Sequence, residues 1–206
     1  MTAFARTDCP HTSPWGPIQH CREYGPGVWS VSTAGHGGFM LSPARNAAVH
    51  PSIRDDRGHY EEDCAWAVVA FTFPDLFTEE HQGFAKASMI NWYPDQFEAI
   101  TGDQILSGCS SKRNQQEFDR ANAGRWISGS AFGSWASFVQ PGEVGVCASR
   151  TLPGGKVESA WFIIPEDEYE ARDRYGFVID PARHVRVAAP VNAWAKEKEE
   201  RILIAA

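Results

Sequence analysis

Short apolar runs separated by glycine and proline, near both ends of the chain, limit what this sequence can fold into more than any other feature. Residues 18–24 and 28–33 are strand-like, and the Gly-Pro-Gly sequence at 25–27 between them is typical of a hairpin turn. Residues 39–41 follow a second tight turn at 35–38 and add a third strand. We therefore predict antiparallel strands in the first fifth of the chain.

The last third of the chain shows the same pattern. Residues 144–150 and 157–164 are strand-like on either side of a Pro-Gly-Gly loop at 153–155, and residues 125–128 and 177–179 also have strand character. Because hairpin signals occur at both ends of the chain, we expect residues 18–41 and 144–187 to join in one mostly antiparallel sheet.

Helical patterns fill the middle of the chain. Residues 60–73 carry apolar side chains at three- and four-residue spacing before Pro74, although the β-branched and aromatic content of 65–73 leaves a buried strand as the alternative. Further helices are expected at 78–92, 111–123 and 191–204. The fold class is therefore α+β, a mostly antiparallel sheet with helices packed on it. It forms a single domain over residues 15–206 after an irregular arm over residues 1–14.

Charge and hydropathy argue against binding to nucleic acid and against insertion into a membrane. The net charge of −7 argues against a protein built to bind nucleic acid, because affinity for phosphates comes mainly from Lys and Arg. The longest apolar stretch, residues 65–73, is far shorter than the about 20 residues of a membrane-spanning helix. We therefore expect neither direct nucleic-acid binding nor a membrane span.

The cysteines indicate a reducing compartment. Cys9, Cys21, Cys64, Cys109 and Cys147 are odd in number, form no CxxC pair and follow no secretory signal. We predict that all five are free thiols and that the protein is cytoplasmic.

His36 is the first candidate for chemistry. It is flanked by Gly35, Gly37 and Gly38, which leave its imidazole reachable at the end of a strand. Imidazole titrates at about pH 6.5, which suits a catalytic or binding role. The competing interpretation is an ordinary turn, in which the glycines only supply positive φ and His36 is a solvated tip.

Four consecutive residues, Tyr60, Glu61, Glu62 and Asp63, form the second candidate. Acidic residues in the first turn of a helix stabilise it by about 0.3–1 kcal/mol each, which is a purely structural role. Alternatively, one carboxylate faces inward beside Tyr60 and works with His36 as a general acid or base. That hypothesis requires the imidazole to lie within about 3–4 Å of a carboxylate, directly or through one water.

Metal ligands are weaker candidates. His50 and His59 lie close to Glu62 in sequence, and His36 could join them, but the spacing matches no motif such as HExxH. A second set has zinc-compatible ligand types at unusual spacing: Cys9, His11, His20 and Cys21. No cofactor is expected, because the GxGxxG, GxxxxGK[ST] and GxSxG motifs do not occur.

Several of these segments together resemble an uncharacterised family of small proteins encoded mostly by phages, plasmids and other mobile elements. The resemblance extends over residues 13–187 and rests on these runs: Ser13-Pro14-Trp15-Gly16, Gly27-Val28-Trp29-Ser30-Val31-Ser32-Thr33, His36-Gly37-Gly38, Tyr60-Glu61-Glu62-Asp63-Cys64, Asn91-Trp92-Tyr93-Pro94, Gly145-Val146-Cys147 and Tyr175-Gly176-Phe177-Val178-Ile179-Asp180-Pro181. It implies no activity, but it does imply a mobile-element setting, in which accessory proteins often interfere with host restriction or CRISPR systems.

Two functions are compatible with these features. The first is an anti-defence accessory protein that binds a host protein partner through an aromatic-rich surface, with Trp15, Gly37, Gly38 and Trp135 as binding candidates. The second is a small enzyme that uses His36 with the carboxylates at 61–63, either a hydrolase or an ADP-ribosyl-transferring protein, since the order His, Tyr, Glu is similar to a triad of some such folds. An enzyme needs these groups in one pocket, whereas a binding protein needs an exposed apolar patch.

Overall fold

Neighbouring hairpins build the first sheet, as the glycine-rich turns predict. In the computed structural model, which describes residues 4–204, its strands are β1 (His20–Gly25), β2 (Val28–Ser32), β3 (Gly37–Leu41) and β4 (His59–Glu61). The strands are ordered β1-β2-β3-β4, and each neighbouring pair is antiparallel. Gly27 has a φ of 77° in the turn between β1 and β2, a conformation that favours glycine.

Within residues 4–204, the following α-helices follow or interrupt these strands: α1 (Pro43–Ala47), α2 (Trp66–Thr72), α3 (Glu79–Trp92), α4 (Pro94–Thr101) and α5 (Ser111–Ala121). The Thr78 hydroxyl accepts a hydrogen bond from the backbone N–H of His81, which fixes the start of α3. Gly102, with a φ of 77°, ends α4. The bounds of α3 and α5 confirm the helices expected at 78–92 and 111–123.

Strands and helices share one core in this part of the chain. Phe39 on β3 and Tyr60 on β4 pack with α2, and Met89 on α3 is fully buried. The buried members of this core are Val28, Phe39, Leu41, Val49, Tyr60, Ala67, Val68, Val69, Ala70, Ala85, Met89 and Phe97.

The helix predicted at 60–73 is wrong at its start. Tyr60 pairs with Phe39 across the β3–β4 ladder, and α2 begins only at Trp66. Without β4, the outer edge of β3 would be open. Residues 59–61 pair with that edge, whereas a helix starting at residue 60 would leave the backbone groups of β3 unpaired.

The segment before β1 is tied to the first sheet. The guanidinium of Arg6 lies 2.9 Å from the Glu23 carboxylate, and the indole N–H of Trp29 donates to the Thr7 hydroxyl. Cys9 and Cys21 are joined by a disulfide. The prediction of five free thiols is therefore wrong, because the segment runs beside β1 and brings Cys9 to it; Cys64, Cys109 and Cys147 are free.

The second sheet is built from the last third of the chain. Its strands are β5 (Trp126–Phe132), β6 (Glu143–Thr151), β7 (Val157–Pro165), β8 (Val178–Ile179) and β9 (Val185–Val187), and the short helix α6 (Glu166–Glu170) follows β7. The order is β8-β5-β6-β7-β9, with antiparallel pairs throughout. Alternate side chains enter two clusters, since Phe162 and Ile164 pack in one and Ile163 in the other.

The α+β class and the antiparallel strands are confirmed, but the single sheet is wrong. Residues 18–41 and 144–187 form separate sheets of four and five strands, each with its own buried clusters. The expected domain over 15–206 contains two compact units, of which the first ends at Asn114 and the second begins at Gln115. Within residues 4–204, no helix is both long and apolar enough to cross a membrane.

The terminal helix expected at 191–204 is also wrong. The backbone N–H of Ala188 donates to the Ile202 carbonyl, and that of Ile204 donates to the Arg186 carbonyl. The tail therefore runs antiparallel to β9, with Leu203 bridged to Val187, and satisfies backbone groups at the edge of the second sheet. A helix would leave that edge open.

Candidate functional site

The turn between β2 and β3 presents His36. The backbone N–H of Thr33 donates to the His36 carbonyl at 2.7 Å, and the Thr33 hydroxyl donates to the same oxygen at 2.8 Å. Two hydrogen bonds to one carbonyl fix the residue just before β3 begins. The His36 side chain remains 66% exposed, so its imidazole is reachable from solvent.

Gly37 and Gly38 let the chain after β4 approach β3 closely. The backbone N–H of Glu62 donates to the Gly37 carbonyl at 3.1 Å, and Glu61 lies opposite Gly38 in the ladder. A Cβ at Gly37 would lie 2.7 Å from Glu62 Oε2, and one at Gly38 would lie 2.7 Å from the Trp15 ring. The absence of a side chain at Gly37 and Gly38 therefore leaves room for Glu62 and the Trp15 ring to lie close to β3.

His36 and two carboxylates converge at this point. His36 Nδ1 lies 3.7 Å from Glu61 Oε1, within the 3–4 Å that the shared-site hypothesis requires. One ligand-type atom each from His36, Glu61 and Glu62 lie within 4.8 Å of one another. In the described part of the chain, no Lys or Arg pairs with either glutamate. The group therefore carries two uncompensated negative charges beside an imidazole.

Asp63 contributes its backbone to this group. Its N–H donates to Glu61 Oε2 at 3.0 Å, which orients the Glu61 carboxylate. The Asp63 side chain is exposed and does not belong to the three-residue group. All three acidic residues lie before α2, which begins at Trp66, so they do not occupy the first helical turn in which the sequence predicted them.

The structure separates Tyr60 from His36. The Tyr60 side chain is buried in the first core, its hydroxyl donates to Asn46 Oδ1 at 2.7 Å, and the hydroxyl accepts from the Asp55 N–H. Burial raises the pKa of the Tyr60 hydroxyl. Successive side chains of a strand point to opposite faces, so Tyr60 enters the core while Glu61 meets His36. The His, Tyr, Glu triad is not assembled.

A second pair that the sequence did not reveal lies next to Glu61. The Cys64 thiol and the Tyr93 hydroxyl are 3.6 Å apart and both partly buried. Burial raises the pKa of Tyr93 most, and the Cys64 hydrogen bond and the charges of Cys64 and Glu61 add to this effect. The phenol therefore stays protonated. Because 29 residues separate the pair, no local spacing could have predicted it.

The weaker metal candidates, His50 and His59, are not part of this group. His50 Nδ1 lies 2.7 Å from the Ser52 hydroxyl and caps a short 3-10 helix. The His59 ring packs beside Trp15, with 6.2 Å between ring centroids. Of the second set, Cys9 and Cys21 are consumed by the disulfide. Among described residues, His36, Glu61 and Glu62 are therefore the single cluster of side chains that could hold a metal ion.

The two tryptophan candidates occupy different units. Trp15 lies over Gly38, next to His36 and its carboxylates. Trp135 lies in the second unit, where its ring stacks on Trp194 with centroids 4.7 Å apart and planes 29° apart. The sequence predicted Trp135 as a binding candidate, but not its stacking partner Trp194, because the pattern of residues 191–204 predicts a helix.

Comparisons with known proteins identify one relationship. A family model described as Domain of unknown function (DUF7007) matches residues 8–123, more than half of the chain. No significant match was found among curated proteins or among solved structures. The matched region contains His36, Glu61, Glu62 and Trp15, and it ends before β5.

Proposed function

We propose that this chain, which belongs to the family described as Domain of unknown function (DUF7007), is a mobile-element accessory protein that binds a host defence protein. The observation that carries the proposal is an exposed aromatic pair on the second unit, here called the indole surface: Trp135 and Trp194. Their side chains are 55% and 75% exposed although they stack on each other. The mobile-element setting rests on the sequence resemblance described above.

The indole surface is held in place by its surroundings. Lys198 Nζ donates to the carbonyls of Ser134, Ala136 and Val139 at 2.6–2.7 Å. Ser137 donates through its hydroxyl to the Asn192 carbonyl at 2.8 Å. These bonds tie the loop that carries Trp135 to the tail that carries Trp194, so the stack requires little ordering when a partner binds.

Protein partners suit such a surface better than other ligands do. Each Trp side chain can bury roughly 150–250 Å² of mostly apolar area, and Trp is enriched among the residues that dominate protein interfaces. The net charge of −7 disfavours nucleic-acid phosphates. A cytoplasmic location is part of this proposal because restriction and CRISPR proteins act there. The thiol argument for that location no longer holds, since Cys9 and Cys21 are paired.

Loss of the indole surface should abolish anti-defence activity. Removing an interface hot spot costs about 2 kcal/mol or more, roughly a thirty-fold loss of affinity. We expect wild-type protein to raise phage plaque counts on bacteria that carry a matching restriction or CRISPR system, and Trp135→Ala with Trp194→Ala to lose this effect. Trp92→Ala is the matched control, because Trp92 is about half exposed and lies outside the stack.

Two results would contradict this proposal. One is equal plaque counts with and without wild-type protein across restriction and CRISPR hosts. The other is full activity of the double variant at an unchanged thermal midpoint, which would show that the indole surface has no part in the effect.

The convergence of His36 with Glu61 and Glu62 supports a second candidate, a metal-dependent hydrolase. Imidazole and carboxylate ligands suit divalent cations such as Zn²⁺ or Mn²⁺. A cation between the two glutamates would offset their mutual repulsion, and a bound cation supplies a water with a lowered pKa as nucleophile. Trp15, beside Gly38, would form one wall of this open site.

Metal addition should raise the thermal midpoint if this second candidate is correct. At a hundred-fold excess over Kd, binding adds about 2.7 kcal/mol, or roughly 5–10 °C for a chain of this size. We expect this shift with Mn²⁺ or Zn²⁺ for wild type and for the control His50→Ala, and its loss in His36→Ala and Glu62→Gln. An equal shift in His36→Ala and His50→Ala would exclude the site, as would no shift in wild type.

A further inference from the structure

A cavity of ≈ 710 Å³ lies against the second sheet. Its volume falls in the range of about 300–1,000 Å³ that is typical of small-molecule sites. The side chains that matter for its chemistry are Trp126, Arg150, Phe162, Arg183, His184 and Arg186. The cavity thus has three guanidinium groups beside the buried rings of Trp126 and Phe162, and it belongs to neither of the sites described above.

Two of the three arginines are already oriented by carboxylates. Arg150 donates through Nε and Nη2 to Glu158 Oε2 at 3.1 and 2.9 Å, and its guanidinium lies 4.4 Å from the Trp126 ring centroid. Arg183 donates through Nη2 to Glu168 Oε1 at 2.7 Å. Each keeps further N–H donors, because a guanidinium carries five.

His184 holds the other oxygen of Glu168. The Asp180 backbone N–H donates to His184 Nδ1 at 3.0 Å, so the hydrogen of a neutral imidazole resides on Nε2. Nε2 then donates to Glu168 Oε2 at 3.2 Å. The carboxylate is thereby fixed from both sides, and it orients Arg183 in turn.

Arg186 is the third arginine, and it is exposed. It lies opposite Phe162 in the β7–β9 ladder, and its guanidinium is 5.8 Å from the Trp126 ring centroid. Within residues 4–204, no carboxylate forms an ion pair with it. The cavity therefore has three guanidinium charges against two carboxylates, which leaves it positive.

Apolar side chains surround these charges. Val185, Leu203 and Ile204 line the cavity and are all exposed, although a folded chain normally buries such residues. Leu203 and Ile204 belong to the tail that runs along β9. Exposed apolar side chains in the same cavity as exposed arginines suit a ligand with an anionic end and a hydrophobic remainder.

We propose that this cavity binds a nucleoside monophosphate. Arg183 and Arg186 hold the phosphate, because a guanidinium matches phosphate oxygens with two parallel hydrogen bonds. The exposed apolar side chains of Val185, Leu203 and Ile204 cover the base. A nucleic-acid strand fits less well, since a single net positive charge in a chain of net charge −7 cannot neutralise a row of phosphates.

Titration calorimetry on the full chain tests the proposal. The probes are AMP, GMP, CMP and UMP, with adenosine, inorganic phosphate and a ten-nucleotide single-stranded DNA for comparison. We expect at least one monophosphate to bind at least about ten-fold more tightly than adenosine or phosphate alone, because both ends of the ligand contribute. The oligonucleotide should bind more weakly than that monophosphate.

Arg186→Gln should weaken monophosphate binding by at least about ten-fold, since it removes a charge-assisted contact without disturbing an ion pair. Arg174→Gln is the matched control, because Arg174 is an exposed arginine of the same unit outside the cavity. Arg150 is not a suitable test position, since its loss would break its ion pair with Glu158 and its contact with the Trp126 ring. The proposal is overturned if no monophosphate binds at about 1 mM, if Arg186→Gln and Arg174→Gln bind alike, or if the oligonucleotide binds most tightly.

Discussion

Gly38→Ala is expected to destabilise the first unit by about 3 kcal/mol, through strain and overpacking together. Gly38 has a φ of 155°, and an added Cβ would overlap the Tyr60 carbonyl oxygen and lie 2.9 Å from the Glu61 Cα. Both neighbours are backbone atoms of β4, so relief requires β4 to move away from β3. The same movement would carry Glu61 away from His36.

Gly35→Ala provides the control for this experiment. Gly35 lies three residues earlier, in the turn before β3, where an added Cβ meets nothing within 4 Å. Its substitution should change stability by no more than about 0.5 kcal/mol. Denaturant unfolding with hydrogen exchange of the β3 amides measures both variants. Equal protection of these amides in the two variants would show that the close approach of β3 and β4 is unimportant.

Phe162→Ala is expected to cost the second unit about 3–5 kcal/mol, the usual range for deletion of a buried aromatic ring. Phe162 is 1% exposed, and its ring lies 5.6 Å from that of Trp126. Removing it leaves a void against Trp126 and removes a wall of the arginine-lined cavity. The denaturant midpoint should fall, with an unchanged slope if the unfolded state is unaffected.

Val157→Ala serves as the comparison, because Val157 lies on the same strand, β7, but is largely exposed. We expect its midpoint to stay close to wild type, within about 0.5 kcal/mol. If Phe162→Ala and Val157→Ala shift the midpoint equally, the core around Trp126 is not packed as described.

Local features of the fold were predictable from the sequence, whereas long-range pairing was not. Gly27 marked the first hairpin and Thr78 the start of α3, because turn and cap chemistry acts over a few residues. A local sequence pattern does not show which strands share a sheet. It therefore could not distinguish two antiparallel sheets from one. β4 has only three residues, too few to show a period of two, and was therefore assigned to the following helix.

The candidate site was predictable in part for the same reason. Neighbouring glycines and adjacent carboxylates singled out His36 and Glu61, which the structure places 3.7 Å apart. Tyr60 was grouped with them because it is adjacent in sequence, yet strand alternation turns it into the core. The sequence did not single out Trp194 or the arginines at 150, 183 and 186. Their positions depend on the tail and on strands from distant parts of the chain, which no local pattern reveals.

The ladders of the two sheets have a consequence for how such a protein can change over evolution. Among described residues, every strand pair lies wholly before Gln115 or wholly after it, and the family match over 8–123 ends just before β5. A recombination breakpoint in the connection between α5 and β5 would exchange an entire sheet without cutting a ladder. The histidine–glutamate group is therefore encoded on one side of that breakpoint, and the indole surface and the arginine-lined cavity are encoded on the other.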